Sequence, residues 1–470
     1  MNPKLLKILA IIGGIVLLWL LVLLVRGESR DQPVVTLEFW NVFDKSDTLE
    51  PLLEDFTAQT GVKVNYRSFT DLKEYRETLL LELAAGEGPD VLAIHNSWIP
   101  KYGSLLQPLP SQDLGYTQNN VKSDFVDAVS EAVVFEEKIP ESDVKKGRMA
   151  EQRIFALPMY LETLGLYFNK TIFRNVLSKP YPAPELTWSG VLDDVIEITA
   201  LDNNDPEGFR LAGIALGRTD NISRGLDIFY NLYHQLGGAD LQQASKETVR
   251  NASGQAYKPL ESALDFFTTF SRNTRNQEYS WNNRLAAGAP EKEIDAFVRG
   301  KVAMVAGYSY YYEQIKDLIQ QYEKGGLPGV IQIPDIEIAP LPQVQDPTQG
   351  NPKVVLADFF ALAVAKSSAE PHAAWQLILK LTGRAAQQQY HAATGKPTSR
   401  RDLITEQKQD PLTGIFAEQA VYADILPISD DQAFAEIIAE AVTAVADGEM
   451  SVGSAVSEMV KALEGLNKVE

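Results

Sequence analysis

A run of aromatic residues follows a short apolar segment in the second half of the chain. Lys301 to Ala306 is mostly apolar and predicts a buried strand. The residues after Gly307 are Tyr308, Ser309, Tyr310, Tyr311 and Tyr312. Phenol rings offer faces for C–H groups and hydroxyls for hydrogen bonds, which suits polar, ring-shaped ligands such as sugars. Tyr308 and Tyr310 are therefore candidate ligand-binding residues, although a tyrosine-rich helix start packed in a core fits the pattern equally.

The residues before and after this predicted strand indicate how the tyrosines are positioned. Glu291 to Arg299 predicts a short helix, and Gly300 is placed to end it in a left-handed conformation. Gly307 allows a tight turn or a close approach of another group to the backbone. A rigid strand is thus expected to deliver the tyrosines to one place.

The first part of the body alternates between strand and helix patterns. Strands are predicted at Val34 to Trp40, at Val62 to Tyr66 and at Val91 to Ile94, with a helix in each interval. Asp47 and Asp71 are predicted to cap these two helices. Such alternation predicts an α/β fold with a parallel sheet covered by helices on both faces.

Two segments at the carboxyl ends of the predicted strands combine indoles with amide or carboxylate groups. In open α/β sheets, ligands bind beyond these ends. The candidate ligand-binding residues here are Trp40, Asn41, Asp44, Asn96 and Trp98. Packing beneath its own loop is the alternative for Trp98. Trp281, in a later loop, is a further stacking candidate.

The composition limits the classes of function. With 470 residues the chain is long enough for more than one core. Its net charge of −20 argues against nucleic acid or anionic lipid as a partner. It has no cysteine, which excludes disulfides, thiolate catalysis, thiolate metal sites and attachment through a lipidated N-terminal cysteine.

No sequence pattern marks catalysis or a cofactor. The four histidines, His95, His234, His372 and His391, include no pair with the spacing of metal ligands in a HExxH motif. The chain contains no Gly-x-Ser-x-Gly elbow, no P-loop and no Gly-x-Gly-x-x-Gly motif. We therefore expect no enzyme activity, no cofactor and no metal site. Adjacent tyrosinates at Tyr310 to Tyr312 leave ferric ion as an alternative ligand.

The N-terminus predicts a membrane anchor. Ile8 to Val25 is an unbroken apolar run, close to the roughly 20 residues that span a bilayer. Lys4 and Lys7 precede it, which places the N-terminus (1–7) in the cytoplasm and the body outside the cell membrane. The anchor is predicted at 8–27 and a polar linker at 28–33. A cleaved signal peptide is the alternative, although Val25 to Glu28 makes a poor cleavage site.

The segment around the tyrosine run also resembles a known family. Phe297-x-x-Gly300-x-x-Ala303-Met304-x-x-Gly307 is similar to the signature of family 1 extracellular solute-binding proteins, the maltose-binding-like receptors of ABC importers. The turn before Val91 and the segment from Phe155 to Lys170 are similar to other parts of these proteins. The resemblance covers about Val34 to the C-terminus.

The resemblance implies a two-lobed, class II periplasmic-binding-protein fold with a hinge between the lobes. It places the chain's crossings between lobes near 157 and 350, and the helix bearing Tyr233 beside the ligand. An aromatic core stripe is the alternative for Tyr233. The implied lobes are 34–157 with 350–400, and 158–349 with 401–470.

The favoured hypothesis is a tethered solute-binding protein of an ABC importer that binds a carbohydrate between its lobes. Its partners would be a saccharide and an ABC permease, with no nucleic acid. The alternatives are a ligand-sensing module for a partner receptor, a protein that binds ferric ion or another small solute, and a tethered glycoside-processing enzyme.

Overall fold

The computed structural model describes residues 35–137, 145, 149–177, 183–244, 247–251, 253–272, 277–285, 292–427 and 431–466. The predicted anchor at 8–27 and linker at 28–33 lie outside the described residues. Within these ranges, no helix combines the length and apolar character needed to cross a membrane.

Short strands are distributed along the whole described chain. In order they are β1 (Thr36–Val42), β2 (Lys63–Phe69), β3 (Val91–His95), β4 (Val134–Glu136), β5 (Gln152–Ile154), β6 (Ala156–Pro158), β7 (Glu162–Thr163), β8 (Gly165–Asn169), β9 (Ala200–Asp202), β10 (Asp205–Ile214), β11 (Val249–Arg250), β12 (Ala256–Tyr257), β13 (Val302–Gly307), β14 (Ile336–Pro340), β15 (Val355–Asp358), β16 (Phe360–Val364) and β17 (Ala423–Asp424).

Helices fill most of the intervals between the strands. They span Ser46–Thr60, Leu72–Ala85, Ile99–Tyr102, Ser111–Leu114, Gln118–Asp124, Asp127–Val133, Lys170–Leu177, Trp188–Ile198, Gly225–Gln235, Pro259–Thr269, Lys292–Val298, Tyr311–Lys324, Pro371–Leu381, Arg384–Thr394, Arg401–Gln407, Gly414–Ala420, Asp431–Ala446 and Val452–Leu466.

The first lobe is built on a sheet with the strand order β2-β1-β3-β16-β6. β1 pairs in parallel with β2 and β3, as the strand–helix alternation predicts, whereas β16 is antiparallel to both of its neighbours. The Asp71 side chain accepts a bond of 2.7 Å from the Glu74 amide, which confirms the predicted cap. The Asp47 cap is wrong: that helix begins at Ser46, and no side chain caps it.

The second lobe is built on a sheet with the strand order β14-β8-β13-β10-β9. β13 is buried along its whole length, as its apolar sequence predicts. The short helix before it ends where expected, and Gly300 has a φ of 63°. This left-handed conformation is the reason for glycine at that position.

A third sheet, β17-β15-β7, lies where the chain passes between the lobes. β7 follows β6 of the first sheet and precedes β8 of the second, and β15 makes the return passage from β14 to β16. β17 precedes the helix Asp431–Ala446, which packs on helices of the second lobe. We call β7, β15 and β17 the hinge strands. The architecture is therefore a two-lobed α/β fold, and the residue limits of the lobes stay a prediction.

The close packing of Tyr311 against Gly307 gives a prediction for stability. A Cβ atom on Gly307 would lie 2.1 Å from the Tyr311 ring, which is buried and donates a 2.7 Å hydrogen bond to Glu293. Because the ring cannot move without breaking that bond, Gly307→Ala should lower the free energy of unfolding by about 1–3 kcal/mol. Urea denaturation followed by circular dichroism measures this change.

Gly465→Ala is the matched control, because nothing lies within 4 Å of the added methyl group in the helix Val452–Leu466. That variant should be neutral or stabilised by up to about 1 kcal/mol. An equal loss of stability in both variants would contradict the steric explanation.

Candidate functional site

Four charged side chains from both lobes converge beside the hinge strands. His95 ends β3 and Asp358 ends β15, and His95 Nε2 lies 2.6 Å from Asp358 Oδ1. Arg224 and Asp227 stand at the start of the helix Gly225–Gln235, with Nη1 and Oδ2 3.3 Å apart. All four side chains keep between 20% and 34% of their surface exposed. These groups are close-packed and still accessible to a solute.

The charges of the two lobes act on one another. Burial raises the pKa of Asp227 to about 6, Arg224 and His95 oppose this increase, and the charge of Asp358 adds to it. Burial also disfavours the charged form of Asp358, but His95 and Arg224 hold its pKa below the usual value. Since such interactions fall off with distance, the four groups belong to one site between the lobes.

Aromatic rings lie next to these charges on the first lobe. Phe360 packs edge-on against His95, Trp98 and Phe43, with ring centroids 5.1, 5.8 and 6.1 Å away. Phe43 is 50% exposed and has a φ of 70°. Both features are uncommon for phenylalanine and occur together at the carboxyl end of β1. Phe43 is therefore available to stack on a solute.

Tyr308 and Tyr310 lie on the second-lobe side of this site. Their ring centroids are 5.9 Å apart, and the Arg224 guanidinium lies 5.7 Å from the centroid of the Tyr308 ring. The Tyr308 ring is buried, whereas that of Tyr310 is partly exposed. Tyr310 thus fits the predicted role in stacking better than Tyr308 does.

Asp44 is already saturated by protein groups. Its carboxylate accepts bonds from Lys396 (2.8 Å), Tyr390 (2.8 and 3.0 Å) and Asn41 (3.2 Å). Lys396 also lies 4.3 Å from the centroid of the Tyr160 ring. The predicted ligand contact of Asp44 would have to compete with this buried ion pair.

The two predicted asparagines are engaged in a similar way. The Asn41 carboxamide donates to Asp44 and accepts from the Val42 amide at 2.9 Å. Asn96 makes two long bonds of 3.5 Å, to the Ala357 carbonyl and from the Phe359 amide. Asn96 therefore ties β3 to the segment carrying Asp358.

The two predicted first-lobe tryptophans differ in exposure. Trp98 is 4% exposed, and the Arg76 guanidinium lies 4.9 Å from the centroid of its ring. Trp40 is partly exposed and packs beside Phe69, with Arg67 4.8 Å from the centroid of its ring. Trp98 thus packs against Phe360 as a buried side chain, and Trp40 has only part of its surface accessible to a solute.

Tyr233 and Trp281 lie in the core of the second lobe. Both are fully buried, with 0% of their surface exposed. The Tyr233 hydroxyl bonds to Glu247 and to the Asp240 carbonyl, and the Trp281 indole donates to Asn221 at 3.0 Å. In this conformation neither ring is presented to a solute.

The sequence did not single out five of the residues that the structure brings together in this candidate site. They are Phe43, His95, Arg224, Asp227 and Asp358. Phe43 and His95 fall in the two predicted binding segments, where indoles and amides were preferred. Arg224, Asp227 and Asp358 carry no sequence signal, because their role depends on packing between distant segments. Among the side chains that the structure describes, no three His, Asp or Glu residues group so that they could hold a metal ion.

A buried carboxyl group links the hinge to the tyrosine run. Glu162 in β7 is 2% exposed, and it accepts bonds from the Ser309 amide (3.0 Å) and hydroxyl (2.7 Å). Burial raises the pKa of Glu162 to about 7, although the bonds from Ser309 oppose the increase. Glu162 thus joins a hinge strand to the segment that presents Tyr308 and Tyr310.

The raised pKa predicts how stability depends on pH. The folded state holds a proton on Glu162 more tightly than the unfolded chain, in which the pKa is near 4.5. The contribution of Glu162 is therefore fully present below pH 4.5 and is lost as the pH rises through about 7, by roughly 3 kcal/mol in total. Glu162→Gln should remove this component from the pH profile of the unfolding free energy.

Glu54→Gln, on an exposed helical face, is the control for the loss of one carboxyl group. Its pH profile should match that of the wild type between pH 4.5 and 7. If Glu162→Gln also matches the wild type, the buried carboxyl does not titrate as described.

The amino-acid sequence is similar to that of known bacterial binding proteins. Residues 52–413 match the family described as bacterial extracellular solute-binding protein. A multiple sugar-binding protein of Streptococcus mutans is 22% identical over 396 residues, which cover 82% of this chain and 80% of that protein.

Solved structures share the fold. The sugar-binding protein of Xanthomonas citri is 18% identical with a TM-score of 0.66, and the match covers 92% of this chain and 97% of that chain. A receptor of Streptomyces glaucescens, solved unliganded and with acarbose, is 18% identical with a TM-score of 0.65, over 93% and 99% of the two chains. Likeness at this level of identity establishes the two-lobed fold.

Proposed function

The chain belongs to the bacterial extracellular solute-binding proteins, and from that premise we propose that it binds a carbohydrate between its lobes for an ABC importer. The observation that carries this proposal is the convergence of exposed aromatic and charged groups from both lobes. Phe43 and Tyr310 would stack on sugar faces, while Asp358, Asp227 and Arg224 would bond to hydroxyls. The sugar-binding names of relatives support the same class of ligand.

Binding would close the lobes about the hinge strands, and the closed form would dock on the permease. The protein would carry out no reaction, because its task is to hold and deliver the solute. Family membership supports a body outside the cytoplasm and an ABC permease as partner.

The ligand class can be tested by a thermal-shift screen of the full-length chain. The screen would include mono- and oligosaccharides, polyols and ferric citrate. A ligand at 100 times its Kd should stabilise the protein by about 2.7 kcal/mol. Stabilisation by a saccharide supports the proposal. Stabilisation by ferric citrate alone, or release of hydrolysed sugar, would replace it with one of the other functions.

Phe43→Ala should weaken binding of the saccharide found in this screen by roughly 10-fold, because the stacking surface is removed. Isothermal titration calorimetry measures the change. Leu81→Ala is the matched control, since Leu81 is also an exposed apolar side chain, 70% accessible, on a first-lobe helix away from the site. Equal affinity in both variants would place the ligand elsewhere.

We also propose that the apolar run Ile8 to Val25 is retained and tethers the body to the cell membrane. The tether would keep the receptor near its permease at a raised effective concentration. After extraction of membranes with alkaline carbonate, the full-length protein should stay in the pellet, whereas a variant that begins at Asp31 behind a cleavable signal should be released. If the protein expressed from the full-length chain is recovered without its N-terminal segment, that segment is instead a cleaved signal peptide.

A further inference from the structure

His234 joins the second lobe to a hinge strand through both of its ring nitrogens. Nδ1 lies 2.8 Å from the Gly238 carbonyl oxygen, and Nε2 lies 2.8 Å from Asp424 Oδ2 in β17. The side chain is 15% exposed. His234 thus links the last turn of the helix Gly225–Gln235 to the strand that leads toward the C-terminal helices.

These two contacts define the charge of the ring. A carbonyl oxygen and a carboxylate oxygen only accept hydrogen bonds, so both ring nitrogens must carry a proton when both bonds are made. His234 is therefore an imidazolium in this arrangement, placed favourably near the C-terminus of a helix. Burial disfavours the charge, but the bonds to Asp424 and Gly238 outweigh burial and raise the pKa of His234.

The same helix connects the hinge to the site. Its N-terminal end carries Arg224 and Asp227, and its inner face bonds to backbone groups of the hinge region. The Asn231 carboxamide accepts from the Leu356 amide of β15 at 2.8 Å, and Gln235 donates to the Val354 carbonyl at 3.0 Å. A displacement of the C-terminal end of this helix would therefore move charged groups of the site.

We propose that His234 is a positioning residue: its imidazolium holds this helix against β17, and loss of its proton loosens the arrangement of the two lobes. The inference rests on the proposed function, because it assigns a pH-dependent control to the same cleft. Neutral imidazole has one N–H, so either Gly238 or Asp424 must lose its bond.

The neighbouring charges strengthen this effect. Asp424 faces His234 and also Glu131 of the first-lobe helix Asp127–Val133, and Glu247 faces His234 from the second lobe. Burial raises the pKa of Glu131, and the negative charge of Asp424 adds to the increase. When His234 becomes neutral, it no longer attracts Asp424 and Glu247, which disfavours the contact between helix and hinge strand.

The distance between the lobes tests the proposal without any saccharide. Because the chain has no cysteine, spin labels can be attached at Leu81→Cys on the first lobe and Lys324→Cys on the second. Both positions are exposed. Distance distributions of the full-length protein would be recorded by double electron–electron resonance at pH 6 and pH 9.

We expect the wild-type distribution to shift or broaden between pH 6 and pH 9. His234→Gln should show the high-pH distribution at both values, so its pH response is lost. Asp424→Asn keeps an acceptor oxygen but removes the negative charge that stabilises the imidazolium. It should weaken the pH response in the same direction, and it carries the test if His234→Gln does not fold. His372→Gln removes an exposed histidine of the first lobe and should keep the wild-type response.

Unfolding gives an independent readout. Because the pKa of His234 is raised on folding, its stabilisation is fully present below the unfolded value of about 6.5 and is lost as the pH rises through the folded value. The Tm advantage of the wild type over His234→Gln should therefore shrink as the pH rises from 6 to 9. Glu162 titrates in both proteins, so the comparison isolates His234.

An unchanged wild-type distance distribution between pH 6 and pH 9 would overturn the proposal. Because Glu162 also titrates in this range, the variants are compared in a Glu162→Gln background as well. A pH response that persists undiminished there in both His234→Gln and Asp424→Asn would also overturn the proposal. Neither result depends on a ligand, so failure here leaves carbohydrate binding intact. A negative saccharide screen with a lost pH response in these variants would instead reject the proposed ligand and keep the hinge control.

Discussion

The joint between the two lobes depends on how buried backbone groups of the hinge strands find hydrogen-bond partners. The short strands β7, β15 and β17 cannot satisfy all their amides and carbonyls by pairing alone, and such groups are costly to bury unpaired. Side chains from neighbouring helices meet this need. Asn231 accepts from the Leu356 amide, and Gln419 donates to the Leu164 carbonyl at 2.9 Å. Polar side chains inside an apolar interface therefore fix the position of the neighbouring helices relative to the hinge strands.

Asp44 and Asp358 show why residue type alone does not tell whether a carboxylate is accessible to a solute. Both are aspartates that follow or end a strand at the site-facing edge of the first lobe. Asp44 is enclosed, with Lys396 and Tyr390 bonded to its oxygens. Asp358 stays one-third exposed and bonds to His95 through one oxygen. A buried, paired carboxylate fixes the loop, whereas a partly exposed one remains accessible to a solute.

The charge balance of the site differs from that of the whole chain. The net charge of −20 belongs to the chain as a whole and favours solubility. Between the lobes, Asp358 lies beside His95 and Asp227 beside Arg224, so the opposite charges within each pair partly cancel. The helix Gly225–Gln235 carries two of these charges at one end and His234 at the other, which joins the electrostatics of the site to those of the hinge.

The sequence by itself determined the elements whose signals are local. The buried strand β13, its glycine-ended helix, the parallel pairing among the first three strands and the family were predicted, because hydrophobic period, glycine placement and short motifs depend on nearby residues. The order of those strands in the sheet was not predicted. Only the tertiary structure decided which side chains are accessible. Tyr233 and Trp281 have the chemistry of stacking residues but are fully buried, while Phe43 is exposed. Contacts such as His95 with Asp358, 263 residues apart, arise from packing and leave no local pattern to read.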